Sequence, residues 1–134
     1  MSLTGSCLCG AVRYEVDRLD GPIVHCHCVT CRKAHAAGHT TTAGVLRTEF
    51  HWLAGEASLS AHESSAGKLH RFCSLCGTHV VAERPGQPHV TLRVATLDTD
   101  PGGRPEFHIW TTHDPAWLVD DADVPRYAEW QPGR

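Results

Sequence analysis

Cys73-Ser74-Leu75-Cys76-Gly77 is the stretch of this sequence that predicts most about the fold. Zinc lies about 2.3 Å from each sulfur ligand and holds its ligands as a tetrahedron, so two cysteines of one loop must converge. A C-x-x-C turn followed by glycine allows this convergence because glycine readily adopts a positive φ. The stretch therefore predicts half of a zinc site, and the chain must supply the remaining ligands.

The N-terminal stretch Cys7-Leu8-Cys9-Gly10 is the candidate for the other half. If Cys7 and Cys9 lie on a strand, its side-chain period of two points both thiols to one face, and Gly10 permits the bend that follows. Joined to the C-x-x-C pair, they make a closed four-thiolate site. Because the link spans a long loop, we expect a bound structural zinc to contribute strongly to folding.

The third cysteine group consists of Cys26, Cys28 and Cys31, which have C-x-C-x-x-C spacing. No fourth cysteine remains to close this group. Three ligands leave one tetrahedral position vacant, which is the general form of a catalytic zinc site. Arg32 and Lys33 follow directly, and such cations lower the pKa of nearby thiols and attract anionic substrates. This group is the candidate catalytic site.

Two histidines offer an alternative, because imidazole often accompanies three thiolates around structural zinc. His25 or His27 would then supply the fourth ligand and close the second site. If this segment is extended, alternation directs both histidines to the face opposite Cys26 and Cys28, which argues against the alternative.

Counting alone leaves two other arrangements open for the central group. Its cysteines could share one zinc with Cys73 or Cys76. They could also hold an iron–sulfur cluster, although no run of four cysteines has ferredoxin spacing. The remaining histidines stand mostly alone among polar residues, which is typical of solvated or hydrogen-bonded imidazoles.

Length and charge restrict the class of protein. The chain has 134 residues and no evident linker, which predicts a single domain, placed at residues 4–131. Its net charge of -3, with scattered Lys and Arg, argues against nucleic acid and anionic membranes as partners. No apolar run approaches the ~18 residues of a spanning helix, and the N-terminus lacks the pattern of a secretory signal. Seven cysteines, an odd number, indicate metal ligands in a reducing cytoplasm.

Short runs of alternating or β-branched residues, separated by Gly and Pro, predict a mainly β fold. The predicted strands are Ala11–Val16, Pro22–Cys26, Thr40–Leu46, Glu49–Leu53, Ser58–His62, Lys68–Cys73, His79–Glu83, His89–Val94 and Glu106–Trp110. One short helix is expected at Val29–Ala36, capped by Cys28 or Thr30. The tail beyond Pro101 is expected to wrap the sheet in loops.

Four aromatic residues are the expected packing anchors of that tail. They are Trp110, Trp117, Tyr127 and Trp130.

Three segments together resemble a known family. They are residues 5–14 (GSCLCGAVRY), 25–33 (HCHCVTCRK) and 71–78 (RFCSLCGT), supported by 108–110 (HIW) and 125–127 (PRY). In this order they resemble the β-tent domain shared by glutathione-dependent formaldehyde-activating enzymes and the centromere protein V group. The resemblance covers nearly the whole chain and implies a β-tent of short antiparallel sheets held together by zinc.

The resemblance also implies roles for the seven cysteines. Cys7, Cys9, Cys73 and Cys76 would hold a structural Zn²⁺. Cys26, Cys28 and Cys31 would hold a catalytic Zn²⁺, in agreement with the division reached by counting ligands.

The activity that the resemblance implies joins glutathione to formaldehyde, giving S-(hydroxymethyl)glutathione, and belongs to carbon–sulfur lyase chemistry. The expected partners are therefore a small thiol and an aldehyde. Zinc at the open site would activate the thiol or polarise the aldehyde oxygen. Thiol activation is favoured, because three anionic sulfurs weaken the Lewis acidity of zinc and leave a thiolate electron-rich.

Two features of the chain leave other functions open. It is shorter than the glutathione-dependent members of the family, and no dedicated glutathione pocket is evident in its residues. The alternative is a non-enzymatic zinc-binding scaffold or binding module in which only the structural zinc is held. A third hypothesis is metal storage or sensing through an exchangeable second zinc.

Overall fold

The structure, a computed structural model, describes residues 2–118 and 121–133. These residues form ten strands and one α-helix. The strands are β1 (Leu3–Ser6), β2 (Arg13–Val16), β3 (Ile23–Cys26), β4 (Thr40–Leu46), β5 (Phe50–Ala54), β6 (Leu59–Ser65), β7 (Lys68–Cys73), β8 (His79–Glu83), β9 (His89–Arg93) and β10 (Pro105–Ile109). The helix is α1 (Val29–His35), and short 3₁₀ turns lie at Arg47–Glu49, Glu56–Ser58, Val94–Thr96 and Thr111–His113.

The strands form two sheets. The smaller sheet has the order β1-β2-β5, and the larger has the order β10-β3-β4-β9-β8-β7-β6. All pairs are antiparallel except the edge pair of β10 and β3, which is parallel. The prediction of a mainly β fold with one short helix after the central cysteines is confirmed.

The predicted elements match the observed ones closely. Thr40–Leu46, Lys68–Cys73 and His79–Glu83 have the predicted bounds, and the other predicted strands differ by a few residues at their ends. The helix ends one residue early because Ala36 adopts a left-handed conformation with φ of 49°. Its backbone N–H then bonds back to the carbonyls of Arg32 and Lys33, which closes the last turn.

One face of the larger sheet is apolar and packs against the smaller sheet. Val45, Val81, Val90 and Leu92 point to this face and are almost completely buried. They share one cluster with β2 and its flanking residues, in which Tyr14 is fully buried. This contact between the two sheets forms the main core of the protein.

The opposite face of the larger sheet is polar. Thr42 on β4 pairs directly with Arg93 on β9, and partners in register share a face. Thr91, two residues before Arg93, pairs with Ala82 on β8, which pairs with His70 on β7. The helix α1 also packs against β4. Buried polar side chains therefore lie on the side of the sheet away from the main core.

One detail of the sequence-based prediction was wrong. Cys7 and Cys9 do not lie on a strand but in the loop between β1 and β2. The loop begins as β1 ends at Ser6, and it turns through a bond from the N–H of Gly10 to the carbonyl of Cys7. The strand β1 was not predicted, because it has only four residues, one of them glycine.

The expected packing of the C-terminal aromatics was also wrong. Trp110, Trp117, Tyr127 and Trp130 are exposed. Consistently, the hydrophobic clusters of the described residues include nothing beyond Leu97 in the chain.

Two other expectations concern membrane-spanning helices and the bounds of the domain. None of the helices formed by residues 2–118 and 121–133 is both long and apolar enough to cross a membrane. The domain bounds of 4–131 stay a prediction.

Candidate metal centres

The structure gathers four thiols at one end of the β1–β2 loop. Sulfur ligand atoms of Cys7, Cys9, Cys73 and Cys76 all lie within 4.8 Å of one another. The Cys7 and Cys9 sulfurs are 3.6 Å apart, and those of Cys9 and Cys73 are 3.8 Å apart. Two loops, separated by more than 60 residues of sequence, supply two thiols each. This cluster contains the same four cysteines that the sequence analysis grouped.

Local backbone geometry explains how each loop presents its pair. Gly10 and Gly77 have φ of 80° and 81°, which side chains with a Cβ rarely adopt. The N–H of Gly77 bonds to the carbonyl of Cys73 at 2.7 Å and closes the C-x-x-C turn. The N–H of Val12 donates to the Cys7 sulfur at 3.2 Å. The loops are thus held in a conformation that turns their sulfurs inward.

Thr78 connects the two loops. Its hydroxyl oxygen accepts a hydrogen bond from the N–H of Leu8 at 3.0 Å and lies 3.2 Å from the Cys76 sulfur. This hydroxyl is the main cause that lowers the pKa of Cys76 to about 5, so this sulfur favours the thiolate form. Thr78 was not predicted to take part in the site, and its position directly after Cys76-Gly77 is its main sequence signal.

The pKa values of Cys7 and Cys9 shift in opposite directions. Burial works to raise the pKa of Cys7, but hydrogen bonds from Val12 and from the Cys9 and Cys73 thiols lower it. For Cys9 the backbone bond from Ala11 works to lower the pKa, but the Cys7 thiol and burial raise it to about 11. Negative charge on one sulfur thus suppresses ionisation of its neighbour, and a bound cation would relieve that repulsion.

The second cluster forms where β3 meets α1. Cys26 is the last residue of β3, Cys28 caps the helix, and Cys31 lies in its first turn. The Cys31 sulfur lies 3.5 Å from the Cys26 sulfur, and the N–H of Cys31 donates to the Cys28 sulfur at 3.3 Å. All three sulfurs lie within 4.8 Å of one another. A change from strand to helix within six residues therefore brings these thiols together.

The structure does not support the two alternative ligand sets for the central cysteines, with Cys73 or Cys76 or with a histidine. Cys73 and Cys76 belong to the four-thiol cluster and not to the central one. Within the part of the chain that the structure describes, no histidine or carboxylate joins Cys26, Cys28 and Cys31 as a fourth potential ligand.

The charges around the second cluster come from unexpected positions. Burial raises the pKa of Cys31, and the Cys28 and Cys26 thiols add to this effect. Burial also works to raise the pKa of Cys28, but the N–H of Cys31 and the neighbouring thiols lower it, with a smaller contribution from Lys68 on β7. The charges of Lys68 and Arg93 act on the pKa values of this cluster from distant strands, and no local sequence signal identified them.

His25 and His27 lie among other histidines. The His25 ring centroid is 4.1 Å from that of His39 and 5.0 Å from that of His108. The Nε2 atom of His27 lies 2.7 Å from Nδ1 of His108, and its Nδ1 lies 2.9 Å from a carboxylate oxygen of Asp114. This imidazole cluster was missed because its members come from β3, β10 and two loops.

A cavity of about 720 Å³ opens beside the imidazole cluster. Its volume lies in the range of small-molecule sites. It is lined by His27, Ala37, Gly38, His39, His108, Asp114, Leu118 and Asp121.

Both thiol clusters fit zinc. A tetrahedral site with zinc–sulfur bonds of about 2.3 Å places its sulfurs about 3.8 Å apart. The measured separations of 3.5 to 3.8 Å agree with that spacing, and all seven cysteines are free thiols, not disulfides. Backbone N–H groups support a sulfur in each cluster, as is typical of ligands with ordered surroundings. The cysteine groups could each hold a metal ion.

The match to a family model decides the relationship of this chain to known proteins. The model described as glutathione-dependent formaldehyde-activating enzyme matches residues 2–113. The chain belongs to this family. The matched region contains all seven cysteines, both sheets and α1. The family resemblance stated from the sequence motifs is therefore confirmed.

Two known proteins are similar to this chain, one in sequence and one in structure. A Halomonas elongata protein named "Putative glutathione-dependent formaldehyde-activating enzyme" is 32% identical over 127 residues, covering 88% of this chain and 80% of the relative. A crystal structure of a Rhodobacter sphaeroides protein superposes with a TM-score of 0.63 at 26% identity. It covers 78% of this chain and 98% of the other. Family and named relative together support an enzyme of the formaldehyde-activating kind.

Proposed function

We propose that this protein is a zinc-dependent enzyme that adds a small thiol, of the glutathione type, to formaldehyde or a related aldehyde. The reaction class is that of S-(hydroxymethyl)glutathione synthase, a carbon–sulfur lyase. The observation that carries the proposal is the pair of unequal thiol clusters, one with four sulfurs and one with three. Four sulfurs complete a tetrahedron around zinc, whereas three leave a position for a reactant.

In this proposal the two clusters have different roles. Cys7, Cys9, Cys73 and Cys76 hold a structural zinc that joins two distant loops. Cys26, Cys28 and Cys31 would hold the catalytic zinc. When bound, that zinc supplies a Lewis-acidic position at which a thiol is favoured as its thiolate.

The reaction itself needs no oxidant and no leaving group. The substrate sulfur forms one bond to the aldehyde carbon, and the carbonyl π bond becomes a lone pair on oxygen. The thiol proton ends on that oxygen, so the product is a hydroxymethyl thioether that contains every atom of both reactants. The protein has to hold the two reactants together and maintain a supply of thiolate.

The residues around the three-thiol cluster suit this task. The N–H of Cys31 donates to the Cys28 sulfur and orients it. Arg93 is buried, its charge interacts with all three thiols, and the charge of Lys68 helps to lower the pKa of Cys28. Positive charge of this kind stabilises anionic sulfur over the neutral thiol.

We assign the organic part of the substrate to the cavity beside the imidazole cluster. His27, one of its lining residues, lies between Cys26 and Cys28 in the chain. The N–H at Nδ1 of His27 donates to Asp114, which fixes the orientation of this ring. The carboxylates of Asp114 and Asp121 in the same lining favour a substrate that carries an amino group. A cytoplasmic location accompanies the proposal, because free thiols persist in reducing compartments.

Zinc content tests the first half of the proposal. Purified native protein is expected to hold two zinc ions per chain, and Cys28→Ala is expected to hold one. Metal analysis after gel filtration in zinc-free buffer provides the measurement. One zinc ion in both proteins would rule out a zinc-dependent reaction at the three-thiol cluster.

Turnover tests the second half. Formaldehyde consumption is followed with glutathione, cysteine and another low-molecular-weight thiol, using Cys28→Ala as the matched inactive protein. We expect native protein to accelerate the loss of formaldehyde with at least one thiol. A protein that holds two zinc ions and accelerates none of these reactions would instead be a zinc-binding module.

A further inference from the structure

Arg93 is a charged residue in an unusually buried position. It is only 4% exposed, and it is the last residue of β9 in the larger sheet. It pairs directly with Thr42 on β4, and Thr42 pairs with Val24 on β3. Partners in register share a face, and Cys26 lies two residues after Val24 on the same strand. The guanidinium therefore lies on the face of the sheet that carries the three-thiol cluster.

A buried guanidinium needs a compensating negative charge, because removing an unpaired ion from water is costly. The usual partner is a carboxylate. Among residues 2–118 and 121–133, no carboxylate lies within ion-pair distance of Arg93. Among the described residues, the compensating charge therefore comes from another kind of group.

The thiols of the second cluster are the remaining source. Burial lowers the pKa of Arg93, and negative charge on Cys31, Cys26 and Cys28, in that order, works to raise it again. No carboxylate of the described residues is among the causes of this shift. All three sulfurs of the cluster thus act on a single guanidinium.

His35 holds the guanidinium in place. Its Nδ1–H donates to the carbonyl of Cys31 at 2.8 Å, since a carbonyl can only accept. Its Nε2 is then free to accept, and the Nε–H of Arg93 donates to it at 3.2 Å. A neutral imidazole therefore connects Arg93 to the backbone of a cysteine in the cluster.

We infer that Arg93 is the fixed counter-ion of the three-thiol site and balances the negative charge that the site keeps when it holds zinc. Zinc carries two positive charges and three thiolates carry three negative ones, so one negative charge remains. The guanidinium, held by His35, cancels it. Arg93 is a positioning residue in this account, and the inference rests on the proposed function insofar as the second metal is zinc.

This charge balance has a consequence for the choice of substrate. An anionic thiolate that approaches a neutral site meets no net repulsion. Without Arg93 the same anion would approach a site whose zinc and three thiolates carry net negative charge, with only the more exposed Lys68 to offset it. The arginine thus favours an anionic sulfur as the incoming group.

The experiment measures zinc affinity in three variants by competition with a chromogenic chelator. Arg93→Met removes the charge and keeps a long side chain, whereas Arg93→Lys keeps the charge but loses the fork of donors. Thr42→Val, on the neighbouring strand and the same face, is the packing control. We expect Arg93→Met to weaken the second zinc roughly 10- to 100-fold, the range of effects found for outer-shell partners of metal ligands.

The pattern among the variants separates charge from structure. Arg93→Lys should retain most of the affinity, and Thr42→Val should match native protein. The first zinc, in the four-thiol site, should be unaffected in all of them. Equal losses in Arg93→Met and Arg93→Lys would show a structural role and overturn the inference. Native affinity in Arg93→Met would also overturn it.

Two further readouts keep the test decisive. If Arg93→Met yields no folded protein, Arg93→Lys decides, because a folded Lys variant without the second zinc contradicts the inference. In cobalt-substituted protein, the sulfur-to-cobalt charge-transfer band should shift in Arg93→Met and stay near its native position in Arg93→Lys. An unshifted band in Arg93→Met would contradict the role of Arg93 as counter-ion.

These metal readouts need no turnover, so they separate the inference from the proposed reaction. Arg93-dependent zinc affinity in a protein that consumes no formaldehyde would refute the reaction and leave the counter-ion standing. Full turnover and native zinc affinity in Arg93→Met would refute the counter-ion and leave the reaction standing.

Discussion

The sulfur of Cys9 lies 3.8 Å from the sulfur of Cys73, although 64 positions separate these residues in the chain. A metal held between them closes a long loop, and closing such a loop removes much entropy from the unfolded chain. By contrast, the cluster of Cys26, Cys28 and Cys31 closes only a loop of a few residues. The two clusters should therefore contribute unequally to stability.

We predict that Cys76→Ala lowers the free energy of unfolding by about 4 kcal/mol, the magnitude associated with cross-linking a loop of this length. Cys28→Ala should cost much less. Thermal unfolding of the zinc-replete proteins, followed by circular dichroism, provides the comparison. Equal melting temperatures for the two variants would contradict the assignment of Cys76 to the structural site.

The second prediction concerns Thr78, whose hydroxyl lies 3.2 Å from the Cys76 sulfur and is the main cause of its lowered pKa. Thr78→Val should raise the pKa of Cys76 and make zinc leave the four-thiol site about tenfold faster, as expected for an outer-shell contact. The measurement is the rate of zinc transfer to a chelator.

Thr78→Ser is the control for this prediction, because it keeps the hydroxyl. It should release zinc at nearly the native rate. Because a higher thiol pKa favours protonation, zinc loss on acidification should begin at a higher pH in the Val variant than in the Ser variant. Identical release by both variants would rule out the hydroxyl as the cause.

The third prediction concerns Gly5 on β1. A Cβ at this position would overlap the ring and hydroxyl of Tyr14, which is fully buried and bonded through its hydroxyl to Thr96 at 2.6 Å. Gly5→Ala should therefore destabilise the protein by about 1–3 kcal/mol or more, since overpacking displaces a rigid ring. Chemical denaturation provides the measurement.

Gly103→Ala is the matched control. A Cβ at Gly103 would make only an ordinary contact of 3.6 Å with Ile23. Its stability should stay within about 0.5 kcal/mol of native, as is usual away from tightly packed sites. A similar loss of stability in both variants would show that the loss comes from replacing glycine as such and not from overlap with Tyr14.

The fourth prediction concerns pH and His70, which is 2% exposed. Burial, helped by the charge of Arg93, lowers the pKa of His70 from 6.5 to about 4. Between these values the unfolded chain binds a proton that the folded protein does not, so stability falls as the pH decreases from 6.5 towards 4. The full loss is about 3 kcal/mol for this group.

His70→Gln should flatten this part of the pH profile, measured by denaturation at several pH values. His62→Gln, on the directly paired position of β6, is the control and should keep the native slope. The native slope persisting in His70→Gln would show that His70 does not cause the acid sensitivity.

Most of the strands were predictable because their signals are local. The strand Thr40–Leu46 is rich in threonine and valine, and Lys68–Cys73 ends at a cysteine turn. The exposure of Trp117 and Trp130 was not predictable, because it depends on whether any core surface reaches the tail. The placement of Cys7 and Cys9 on a strand was wrong for a different reason. A C-x-C pair is compatible with a strand and with a loop, so its spacing does not distinguish them.

The sequence alone determined the family, the mainly β fold and the division of seven cysteines into four and three. These properties depend on residue type and short spacing, which are complete in the sequence. Only the tertiary structure decided which groups surround the three-thiol site. Arg93 lies on β9 and the charge of Lys68 acts from β7, so their placement around the cysteines depends on strand order and register. Arg93 is held there by His35, which follows Cys31 by one helical turn. A buried charge is compensated by the opposite charges that lie near it in the folded protein. Its partner therefore cannot be identified from spacing along the chain.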